Sequence, residues 1–87
     1  MVARSLRVSP NPVSSQTAIN YQLTRSSLVS CIVYDAAGNL VTRLSDGSQS
    51  AGAHSLTWNA AGMEPGIYFC KLIAGGDSHT ARLVRAD

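Results

Sequence analysis

The chain is short of charge. Asp, Glu, Lys and Arg make up 14% of its 87 residues, against a usual share of about 25%. Solubility therefore falls to Ser, Thr, Asn and Gln, a style common in extracellular β-modules. The net charge is only +2 and the basic residues are scattered, apart from Arg82 and Arg85 near the end. That argues against nucleic acid or an anionic membrane as partner. Also missing is any apolar run of the roughly 18 residues that a membrane-spanning helix needs. The opening Met1-Val2-Ala3-Arg4 lacks the apolar stretch of a signal peptide. Met1 reads as a start placed on a domain cut from a longer protein.

Catalytic signatures are absent too. There is no G-x-S-x-G, no phosphate-binding loop and no H-E-x-x-H. The five acids stand singly in the sequence, and Asp35, Asp46 and Asp77 are explained as turn residues. The two histidines, His54 and His79, read as polar residues at strand ends. With no close ligand pair such as C-x-x-C, they do not anchor a zinc site with Cys31 and Cys70. We read no enzyme and no cofactor here.

What remains speaks of strands. Residues 66–72, Gly-Ile-Tyr-Phe-Cys-Lys-Leu, follow the breaker Glu64-Pro65 and end at the turn Ala74-Gly75-Gly76-Asp77. They read as the central strand of a small sheet protein. Residues 5–8 read as a first strand, stopped by Pro10-Asn11-Pro12. Residues 17–23 alternate, with Ile19, Tyr21 and Leu23 on one face. Residues 28–34 place Val29, Cys31 and Val33 inward and leave Leu28, Ile32 and Tyr34 on the other face. Asp35 and Gly38 form a tight turn into residues 40–44, whose broken alternation predicts an edge strand with a bulge. Residues 45–52 read as a long polar loop. Residues 54–58 point Leu56 and Trp58 to the core. Residues 79–85 pair with the central strand as a hairpin, Tyr68, Cys70 and Leu72 facing in. Tyr68 is placed to bond the loop before it as a corner tyrosine.

Seven short strands, turns every 8–12 residues and no helix-period segment predict an all-β fold, a seven-stranded immunoglobulin-like antiparallel β-sandwich. We read residues 1–87 as one such domain. Cys31 and Cys70 fall on the inward faces of neighbouring strands. Either they cross-link, as an exported protein allows, or they pack as small buried thiols.

The same residues carry a resemblance. Pro10-Asn11-Pro12, Ile19-x-Tyr21-x-Leu23, Val33-Tyr34-Asp35-x-x-Gly38-x-x-Val41, Gly52-x-His54-x-Leu56-x-Trp58, Pro65-Gly66-Ile67-Tyr68-Phe69-x-x-Leu72 and Arg82-Leu83-Val84 follow one another over nearly the whole chain. In this order they resemble the type IX secretion system C-terminal sorting domains (type A) and the related immunoglobulin-like domain of flagellar hook-capping proteins. The resemblance implies a C-terminal module directing export and surface attachment of a larger secreted protein. It implies an N-terminal cargo domain, an outer-membrane secretion translocon as reader and a sortase-like peptidase that removes the module. It places the cargo outside the cell or on its surface, reached by way of the periplasm and outer membrane. It assigns the address to the terminal strand, at Arg82, Leu83, Val84 and Arg85. An exposed backbone there invites reading by strand addition; on the other view, Leu83 and Val84 are simply core and edge. A structural or carbohydrate-binding β-sandwich is the alternative, with Tyr34 and Phe69 as the candidate stacking residues.

Overall fold

In the computed structural model, described here over residues 2–86, seven strands build two antiparallel sheets. The strands are β1 (Ala3–Ser9), β2 (Gln16–Leu23), β3 (Ser27–Asp35), β4 (Leu40–Gln49), β5 (Gly52–Asn59), β6 (Gly66–Ala74) and β7 (Asp77–Arg85). One sheet has the order β1-β2-β5 and the other β4-β3-β6-β7. The chain changes sheet between β2 and β3, again between β4 and β5, and again between β5 and β6. This is the interlocked connectivity of an immunoglobulin-like sandwich. The expected fold class is the observed one, and residues 66–72 do lie in a central strand, between β3 and β7.

Alternation along each strand decides which residues fill the space between the sheets. From β2 come Ile19, Tyr21 and Leu23, and from β3 Val29, Cys31 and Val33. Trp58, Tyr68, Cys70, Leu72 and Leu83 complete the set anticipated from alternation. Leu56 packs on it only partly buried. The Trp58 and Tyr68 rings meet edge to face at 5.3 Å, an arrangement worth about 0.5–1.5 kcal/mol beyond the area it buries. The Tyr68 hydroxyl donates to the Glu64 carbonyl at 2.7 Å, closing the β5–β6 loop as the corner tyrosine was expected to do.

The β4 strand departs from expectation. Residues 45–49, read as loop, continue it as far as Gln49. An edge strand needs backbone partners more than apolar side chains, and β3 supplies them along its whole length, from Ser27 opposite Gln49 to Tyr34 opposite Leu40. Gln49 is further held by the Tyr21 hydroxyl and by Ser45. The expected bulge occurs twice. The register skips Leu44 and then Val41, and both of these residues pack against the core. The broken alternation in the sequence is the trace of those two skipped positions.

Candidate functional site

The residues assigned to the address lie in β7, and the structure gives the four of them different situations. Leu83 is fully buried between the sheets. Burial of that kind is worth about 1.5–3 kcal/mol, which makes Leu83 a core residue first. The Arg85 side chain turns toward the β5–β6 loop, donating from Nε to the Ala60 carbonyl at 2.8 Å and from Nη2 to the Ala61 carbonyl at 3.3 Å. A third guanidinium nitrogen donates to the Ala86 carbonyl. Arg85 is thus a clamp on a loop. Val84 is half-buried, and only Arg82 stands exposed on the outer face.

The free backbone edge expected for this strand is filled. The Asn11 side chain behaves as one residue of an added strand. Its Nδ2 donates to the Arg82 carbonyl at 3.0 Å, and its Oδ1 accepts from the Val84 N–H at 3.0 Å. One step further, the Val13 N–H donates to the Val84 carbonyl at 2.7 Å and the Val13 carbonyl accepts from the Ala86 N–H at 2.8 Å, forming a parallel bridge between Val13 and Arg85. The Val13 side chain is itself fully buried in the core. Thr17, the one buried polar residue among those described, donates its hydroxyl to the Pro10 carbonyl at 2.8 Å and fixes the start of the same segment. Opening this edge would break four hydrogen bonds at a net cost of about 0.5–1.5 kcal/mol each. It would also expose Val13. Strand addition at residues 82–86 is therefore not offered by the folded domain. In the sequence Asn11 reads only as a turn residue between prolines; its pairing with a strand 71 positions away has no local signal.

The two cysteines meet as anticipated from their faces. Both are fully buried free thiols, with Sγ atoms 3.2 Å apart. They are diagonal neighbours rather than direct partners, since Cys31 stands opposite Leu72 and Cys70 opposite Val33. The thiol–thiol hydrogen bond, followed by burial, pushes Cys70 above the ordinary thiol range. Losing a second proton from this pair would place two negative charges in contact away from water.

The other chemical candidates stay apart. His54 stacks on Tyr21 at 5.6 Å and contacts the Ser50 carbonyl at 2.7 Å. Nε2 of His79 is buried with no hydrogen-bond partner among the described residues. No group of three or more potential ligands gathers among the described residues in a way that could hold a metal ion. No helix there is long and apolar enough to cross a membrane. Tyr34 and Phe69, the candidate stacking residues, are directly opposite each other on β3 and β6 and face outward from the sheet. The hollows beside this sheet, about 240 Å³ at Asp35, Pro65 and Ile67 and about 190 Å³ at Leu28 and Ile73, fall below the usual 300–1,000 Å³ of a small-molecule site.

The fold defines the class of protein: an all-β, immunoglobulin-like sandwich of two antiparallel sheets. The family follows from comparison. The profile of the secretion system C-terminal sorting domain matches residues 7–86. The chain belongs to that family, whose domains are C-terminal sorting signals for type IX secretion. It is thereby a sorting signal, and the protein that carries it is a secreted or cell-surface protein handled by the type IX machinery. A comparison with curated proteins finds no match.

Proposed function

We propose that this domain is the C-terminal module of a larger exported protein, fused behind a cargo domain and read at the outer membrane by the secretion translocon. After passage through the periplasm and the outer membrane, a sortase-like peptidase removes the module and the cargo is attached to the surface or released. The module itself is non-catalytic and needs no cofactor. The observation that carries this reading is the family match from residue 7 to residue 86, which includes the terminal strand. A folded sandwich in this role acts by display, so the address is a pattern of side chains held in fixed register.

The test is export of a reporter. A fluorescent protein with a signal peptide at its N-terminus and the intact chain at its C-terminus is expected at the surface or in the medium of a host that has the translocon, and in the periplasm when the translocon is deleted. Equal distribution in both strains would refute the proposal. Truncation is a poor substitute for this test. Deleting residues 82–87 removes the buried Leu83 and the Arg85 clamp together, so loss of export would report unfolding as readily as loss of an address.

A further inference from the structure

A terminal strand can be read along its backbone edge or across its side chains. Over the last part of β7 the edge is taken: each outward peptide group from the Arg82 carbonyl to the Ala86 N–H is bonded to Asn11 or Val13. What remains is the outer face of the β4-β3-β6-β7 sheet. In one register row Leu40, Tyr34, Phe69 and Arg82 stand side by side; in the next come Arg43, Ile32, Lys71 and Thr80. Ile67, on the Phe69 side of β6, is 42% exposed, and Leu40 is 54% exposed. Three cations thus border an aromatic and aliphatic centre, and neither row contains an acid. Among the described residues the nearest acids are Asp46, one row beyond beside Ser30, and Asp35 and Glu64, which line a shallow hollow with Ile67 at the turn end of the sheet.

We infer that the export machinery reads this domain on that face, through an acidic protein surface with an apolar centre that seats on Tyr34, Phe69 and Ile67 and pairs with Arg82, Lys71 and Arg43. The inference rests on the sorting reading above and names the part of the domain that carries it. Charge complementarity sets the sign of the partner. The aliphatic residues beside the aromatic pair favour protein over sugar, because a sugar stacked on the rings would leave Leu40 and Ile67 in water. Apolar centre and charged rim together are the usual composition of a recognition patch between proteins.

The experiment uses the reporter fusion with the intact chain. The double variant Lys71→Glu, Arg82→Glu is expected to lower export about tenfold or more, since like charges then face one another. Arg82→Lys, which keeps the charge, is expected to restore export beside Lys71. Thermal melting of the purified domain checks that each variant folds; if the double variant does not, Arg82→Glu alone supplies the readout, its side chain being exposed. Asn11→Ala, which frees the Arg82 carbonyl and the Val84 N–H on the edge of β7 and leaves the face intact, is expected to export no better than the wild type. Wild-type export by the folded charge-reversed variant would overturn the inference and leave the sorting role standing. So would a gain in export on Asn11→Ala, which would return the address to the backbone edge. Retention of wild-type domain on polygalacturonate beads, lost with Phe69→Ser while export continues, would reassign the face to an acidic glycan. No export of the wild-type fusion would remove the sorting role and this inference together.

Discussion

Gly75 and Gly76 carry the β6–β7 hairpin, turning with φ of 54° and 89°. Two positive φ values in a two-residue loop are the geometry that matches the twist of paired strands. The two glycines differ in their surroundings. A Cβ at Gly75 would come within 2.7 Å of Val2 Cγ2 and 3.0 Å of Ser27 Oγ, whereas at Gly76 it would meet nothing within 4 Å. Gly75→Ala therefore combines backbone strain with a clash against a buried residue and should cost about 1–3 kcal/mol. Gly76→Asn keeps a residue that tolerates positive φ and has room, so it should change stability by less than about 1 kcal/mol. Urea unfolding of the two variants measures the difference; equal losses would show that the contact with Val2 has no energetic weight. The turn itself was legible in the sequence, as Ala-Gly-Gly-Asp between two apolar runs. The inequality of its two glycines was not, because Val2 approaches from the far end of the chain.

Among the elements, β3 and β6 form the centre of the four-stranded sheet and share the Cys31–Cys70 contact. A disulfide is about 2.05 Å long, so the sulfurs, 3.2 Å apart, need only a small side-chain movement to bond. Diamide, by accepting the two thiol hydrogens, should convert the pair to an intramolecular disulfide. Cys31 and Cys70 lie 39 positions apart, and closing a loop of that length in the unfolded chain stabilises by up to about 4 kcal/mol. The oxidised domain should accordingly melt above the reduced one, by up to about 16 °C at roughly 4 °C per kcal/mol. Mass spectrometry and melting, each with and without reductant, check this; an unbonded product after diamide treatment in mild urea would sink it. The elements show where sequence reading is strong and where it stops. Alternation revealed β2, β5, β6 and the inward residues of β3, because a period of two is a local property. The polar end of β4 escaped, since its pairing depends on β3 and on the Tyr21 hydroxyl across the sandwich. The cover on β7 escaped for the same reason: Asn11 acts on a strand 71 positions later. The four residues proposed as the address were legible as a segment. Their separate roles as core, clamp, half-buried edge and exposed cation appear only in three dimensions.

At the scale of the whole molecule, two carboxylates accept from backbone N–H groups, one within a turn and one across the length of the chain. Asp35 holds the β3–β4 turn, its Oδ1 accepting from Asn39 at 2.8 Å and from Ala37 at 3.0 Å. Asp77, at the β6–β7 hairpin, accepts from the Val2 N–H and so joins the start of the chain to its last strand. In each case the backbone hydrogen bonds favour the ionised form and hold the carboxyl below its ordinary value of 3.8. The sign follows from proton counting. As pH falls toward 3.8 the unfolded chain takes up these protons while the folded domain still resists them, so acid favours unfolding. Their contribution is complete above the unfolded value and is lost as pH falls through the lower folded values. The melting temperature should thus be nearly level between about pH 5 and 7 and fall below about pH 4. Asp35→Asn and Asp77→Asn should each lower it at pH 7 and flatten the acid slope, and the double variant, which removes two of only five acids, should flatten it most. Melting curves at steps of pH decide the matter: an acid slope unchanged in the double variant would mean that other carboxylates govern the response. Asp77 has the wider consequence, because it alone of the two links β7 to the first strand. Its protonation loosens the end of the sandwich where the chain's beginning meets the terminal hairpin, while the Asn11 and Val13 bonds at the other end of β7, which contain no titrating group, hold at every pH in this range.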